Sequence, residues 1–133
     1  MRLGRVTESG GYAVLYTFSG VLNNTAALST FDSNGATTWV ANWNANFNTA
    51  AQYARPVINV LGEVFNVEGA VNNAYLTKRN ASGTVIWSRW IGNASFWTVG
   101  PDQFGGVHVA SDNGALSRYD FDGNPVWTNI APM

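Results

Sequence analysis

The chain has 133 residues, 46% of them hydrophobic and 14% aromatic, enough to bury one sizeable core and too apolar for a disordered segment. Charged residues make up only 11% and the formal net charge is -1, with no basic stripe, which sets aside an electrostatic nucleic-acid binder. Cysteine is absent, which removes disulfides and thiolate chemistry, and neither a signal peptide nor an apolar stretch of ~20 residues able to span a membrane is read.

In chain order, alternation and β-forming residues bounded by turn signals predict twelve strands. The first four cover residues 3–7, 12–18, 26–31 and 37–43. The next four cover 55–61, 63–67, 74–78 and 85–91, after a long connection in which 48–54 has room for one turn of helix. The last four cover 96–99, 106–110, 115–119 and 125–130. Sustained helical periodicity is absent.

A twelve-residue phrase recurs inside this series: Leu28 to Trp39 (LSTFDSNGATTW), Leu76 to Trp87 (LTKRNASGTVIW) and Leu116 to Trp127 (LSRYDFDGNPVW). Each copy is a hairpin. Asp32, Asn80 and Asp120 supply the side chain that caps the turn, and Gly35, Gly83 and Gly123 occupy the place where φ must be positive. Leu28, Leu76, Leu116 and the closing Trp39, Trp87 and Trp127 hold fixed places in the phrase and are read as packing residues. The copies are spaced 48 and then 40 residues, the length of a four-stranded propeller blade. Blades are expected over about 1–46, 47–92 and 93–133 of a single repeat domain.

The run from Gly105 to Trp127 (GGVHVASDNGALSRYDFDGNPVW) resembles a blade of the quinoprotein-like β-propellers. The run from Gly11 to Gly20, continuing to Trp39 and Trp43, is similar to the short propeller repeats of bacterial surface proteins. The resemblance covers nearly the whole chain and implies an all-β architecture: three four-stranded antiparallel sheets. It implies nothing about activity, because blades are scaffolds for many functions. Propellers close with about four to eight blades, so three are half a ring with an apolar face open at each end. The expected partner is therefore a second copy, in a six-bladed homodimer, or else other subunits of a larger assembly.

Recognition in such a fold belongs to loops. Connections between the second and third strands of a blade, and between blades, share one side and gather most of the asparagines. The candidate ligand or partner residues there are Asn24, Trp43, Asn44, Asn46, Phe47, Asn72, Asn73, Trp97, Asp112 and Asn113. Asparagine also suits ordinary turns, which is the plainer reading of the same residues.

Candidate chemistry is sparse. His108 is the one histidine, flanked by Val107 and Val109, and reads as a packed residue. Asp120 to Asn124 looks superficially like a calcium loop but lacks the distal glutamate and coincides with the hairpin turn. Glu8, Glu63, Glu68, Asp102 and Asp112 are scattered, with no pair held by spacing for acid–base work. No enzyme, metal or cofactor is expected. Two function classes remain: a non-enzymatic structural subunit displayed on a virion or phage tail and released by lysis, and a lectin-like, carbohydrate-binding oligomeric propeller.

Overall fold

Five turns of one chemistry organise the described chain. In a computed structural model of the protein, residues 2–3, 11–19, 24–44, 55–59, 61–70, 73–92, 97–102, 104–111 and 114–131 are described, with 2–3, 15–19, 24–26, 43–44, 69–70, 73 and 97–98 as backbone only. Asp32, Asn59, Asn80, Asp102 and Asp120 each accept, on the side-chain oxygen, the backbone N–H two residues on. The glycine three residues on, at 35, 62, 83, 105 and 123, donates its N–H back to the Asx carbonyl and sits at positive φ. Turn donors are thereby satisfied locally and each hairpin closes tightly.

The hairpins build three antiparallel sheets. The first is β1 (Arg2–Leu3), β2 (Tyr12–Ser19), β3 (Asn24–Phe31) and β4 (Thr37–Asn44). The second is β5 (Val57–Ile58), β6 (Val64–Ala70), β7 (Asn73–Arg79) and β8 (Val85–Gly92). The third is β9 (Trp97–Pro101), β10 (Val107–Ser111), β11 (Ala115–Tyr119) and β12 (Pro125–Ile130). In every sheet the spatial order follows the chain, with no crossover. The strand expected over 55–61 is cut to Val57–Ile58 because Asn59 starts a turn, and the helical turn expected over 48–54 lies outside the described residues.

A bulge in the same place of each sheet aims the tryptophans. The ladder between third and fourth strands slips by one residue at Thr30/Phe31, Lys78/Arg79 and Arg118/Tyr119. The slip leaves Thr38, Ile86 and Val126 unpaired and sets Trp39, Trp87 and Trp127 opposite Thr30, Lys78 and Arg118. The interval of four residues from turn glycine to tryptophan follows from that bulge. Ala13, Phe65 and His108 pair with Thr30, Lys78 and Arg118 in turn, so each tryptophan shares its face with them.

The second sheet packs on both sides, although Tyr75 and Trp90 on one of them stay exposed. Ile58 and Val64 pack with Ala13 and Leu28 of the first sheet, against Trp39. On the other side Val57, Phe65, Val67, Ala74, Leu76 and Trp87 form a core with Val99, Val107 and Val109 of the third sheet. Burying a Leu76 or Phe65 side chain stabilises by about 1.5–3 kcal/mol each. Between sheets an indole comes close to a turn: a Cβ on Gly83 would stand 2.7 Å from Cδ2 of Trp39, and one on Gly123 would stand 2.7 Å from Cδ2 of Trp87. Those glycines answer two demands, positive φ and room for a ring from the preceding sheet.

Two outcomes follow. Gly114 also has positive φ, but a Cβ there makes only ordinary contact with Ala131, at 3.6 Å. In urea unfolding Gly114→Ala is expected to cost about 1–2 kcal/mol through backbone conformation, and Gly123→Ala about 1–3 kcal/mol beyond that through displacement of Trp87. The second outcome concerns acid. The Asp120 carboxyl is held below the usual aspartate range by the Asn124 backbone N–H, then by the Asn124 side chain and the Asp122 N–H. Its stabilisation is present above the unfolded value of about 3.9 and is lost as pH falls through the lower folded value. Asn80 caps the equivalent turn without titrating, so Asp120→Asn is expected to keep the fold and flatten the decline of Tm below about pH 4.

Candidate functional site

The connections expected to carry recognition leave each sheet at the end opposite the Asx turns. Asn46, Phe47, Asn72, Asp112 and Asn113 of the candidate set lie outside the described residues. Asn24, Trp43, Asn44, Asn73 and Trp97 are described as backbone, and all five belong to strands. The sequence reading puts Asn24, Asn44 and Asn73 in loops, whereas the ladders run on to Ser19↔Asn24, Thr25↔Asn44 and Ala70↔Asn73. Backbone pairing, at the hairpin tip for Asn24 and Asn73 and at the open end of the hairpin for Asn44, overrides the turn preference of asparagine.

The phrase residues divide by blade. Leu28 and Leu76 are fully buried, Trp87 is buried and Trp39 half-buried. In the third sheet Leu116 is 39% exposed and Trp127 37%, because they face away from the second sheet and, among the described residues, no further sheet lies beyond them. The opposite limit of the array is the first sheet's outer face, where Tyr12 and Val40 are exposed and a Cβ on Gly35 would meet nothing within 4 Å.

A polar group borders Trp127 on the open third-sheet face. The Asp102 carboxylate accepts the Phe104 backbone N–H and pairs with Arg118. The backbone bond first, and the guanidinium with it, hold the Asp102 carboxyl below the usual range. His108 lies on β10, with its ring 5.6 Å from the Trp127 ring and tilted by 48°. Arg118 and Trp127 are neighbours across the ladder, so a cation and an indole stand side by side on an exposed face.

The closed seam between second and third sheets shows what such a face does when covered. Trp87 Nε1 donates to the Phe121 carbonyl at 3.1 Å, and Arg89 Nε donates to the Gly123 carbonyl at 2.9 Å. Lys78, buried beside Glu63, donates to the same Phe121 carbonyl, and its Nζ lies 3.1 Å from the Phe121 ring centroid. Desolvation pulls the Lys78 ammonium below its usual range, with Glu63 opposing. The turn of the third sheet is therefore gripped through its carbonyls by side chains of the second.

The seam between first and second sheets is sparser. Thr30 stands where Lys78 does, Ala41 where Arg89 does and Ala81 where Phe121 does. A cavity of about 180 Å³ opens there, lined by Thr30, Ile58, Gly62 and Ala81 among others, and the buried Trp39 Nε1 has no hydrogen-bond partner. The cavity occupies the repeat-equivalent place of the Lys78 and Phe121 side chains, so it is read as missing packing.

Sequence reasoning missed the hairpin turns at Asn59–Gly62 and Asp102–Gly105, although both carry the Asx-x-x-Gly spacing of the phrase. It missed also that Asp102 is tied to Arg118 and that Trp39 and Trp87 each reach the turn glycine of the following repeat.

No family model matches the sequence, and no match is found among curated proteins. Among solved structures the chain is similar to BamB from Moraxella catarrhalis, a β-propeller, with a TM-score of 0.66 and 18% identity over 96% of this chain and 35% of that one. It is similar also to a protein of unknown function from Bacteroides caccae, with a TM-score of 0.56 and 12% identity over 98% of this chain and 45% of that one. The chain thus spans less than half the length of either, and its three sheets are blades of the β-propeller fold.

Proposed function

We propose that the chain is a non-enzymatic assembly subunit: three blades that a second copy completes to a six-bladed ring, with recognition through the Asn-rich connections. A virion or tail surface is the setting in which such a displayed subunit would work. One observation carries the reading. Both terminal sheet faces present apolar side chains to solvent, with Trp127 and Leu116 on one and Tyr12 and Val40, the last 51% exposed, on the other. Paired faces of the same kind are buried twice inside the chain. Leaving them uncovered forgoes the burial that stabilises the inner seams, and covering them with further blades restores it.

Several groups that could do chemistry, among the described residues, are engaged in structure. Asp102 and Asp120 hold turns, Lys78 is enclosed in a seam, and His108 leans on an indole. Light scattering on a size-exclusion column is expected to give twice the chain mass of 14.3 kDa over a wide concentration range. A monomer throughout would remove ring completion by a second copy. Strong, selective signal on a glycan array would move the reading to a lectin-like ring.

A further inference from the structure

The two ends of the array carry the two unlike parts from which the inner seams are built. Inside the chain the seam is built twice in one sense: Trp39 against the turn glycine Gly83, and Trp87 against Gly123. The series leaves over one tryptophan and one glycine. Trp127 follows its bulge as Trp39 and Trp87 do, yet among the described residues no further turn lies beyond its face. Gly35 has φ of +83°, like Gly83 and Gly123, but where their Cβ atoms would strike an indole, one on Gly35 would meet nothing within 4 Å among the described residues.

We propose that Trp127 of one copy docks on the Asp32–Gly35 turn of a second copy, continuing the two interfaces already present in the chain. This rests on the reading of the chain as a self-assembling half-ring and names the contact that closes it. The template supplies the details. Trp87 Nε1 bonds the carbonyl of the second turn residue, Phe121, and the corresponding acceptor on the second copy is the Ser33 carbonyl. Arg89 bonds the carbonyls of Asp122 and Gly123, and Asn129, in the equivalent strand position, carries an amide donor toward those of Asn34 and Gly35. Leu116 stands where the buried Leu76 stands, and Val40 and Tyr12 lie on the receiving sheet face. With two copies each Trp127 finds one Gly35, so no half-interface is left over.

Two single variants separate docking from folding. Asparagine tolerates positive φ, so Gly35→Asn keeps the exposed turn while adding the Cβ that the inner seams exclude. Trp127→Ala removes the indole from the other half. Each is expected to raise the dimer dissociation constant roughly tenfold or more, as loss of a central aromatic contact does, while circular dichroism stays that of the parent. Gly83→Asn, which blocks an inner seam, is expected to lower Tm.

Mixing supplies the decisive arm. A Gly35→Asn chain retains Trp127, and a Trp127→Ala chain retains Gly35, so an equimolar mixture holds one intact contact per pair. It should form mixed dimers at concentrations where each variant alone is monomeric. A dimeric parent whose mass neither variant alters would overturn this contact and leave ring completion standing on another surface. A parent that stays monomeric overturns both the contact and the second copy as occupant.

Discussion

The approach of an indole ring to a glycine turn in the following sheet is the contact on which the arrangement of blades depends. Sheets this small cannot bury enough apolar surface alone; each reaches stability through its neighbours. The indole supplies a large flat surface, the glycine lets it come within contact of backbone, and the bulge before each tryptophan puts it on the correct face. Remove any one of the three and the other two lose their purpose: without the bulge the tryptophan would point to the opposite side of its sheet.

The inner seams share this contact and differ in what surrounds it. Between second and third sheets, Lys78, Arg89 and the Trp87 N–H take up the carbonyls of the 120–123 turn, and the Phe121 ring closes over the lysine. Between first and second sheets, smaller residues leave a cavity and an unanswered indole N–H. The buried ammonium is offset by Glu63 and by a carbonyl, an arrangement that fixes geometry more than it adds stability. The second seam is the better specified of the two.

What could be read from the sequence depended on how far apart the cooperating residues lie. The hairpin phrase holds its Asx cap, glycine and tryptophan within eight residues, and the hairpins at Asp32, Asn80 and Asp120 were legible from those letters. The turns at Asn59 and Asp102 use the same chemistry, but the short strand β5 gives little alternation to frame the first of them. The pairs Trp39–Gly83 and Trp87–Gly123 join different repeats, and no local pattern announces which face a tryptophan will serve once a bulge has shifted it. Of the candidate recognition residues, the asparagines were legible only as a composition. Asn24, Asn44 and Asn73 went to strands because ladder hydrogen bonds at the end of a strand depend on the partner strand's length, which single-strand propensity does not contain.

Each seam joins unlike surfaces, indole on one side and turn on the other, so a row of these blades has polarity, as a filament does. In the proposed assembly two like ends would have nothing to offer one another, so only unlike ends could meet through this contact. The rotation from one blade to the next then governs the outcome: a sum that returns to its start ends in a finite ring, and one that overshoots keeps adding subunits. The inner seams, through the bulk of residues such as Lys78 and Phe121 or the small Thr30 and Ala81, set that rotation. In the self-assembly proposed above, packing deep inside the chain would therefore help decide whether addition of copies stops.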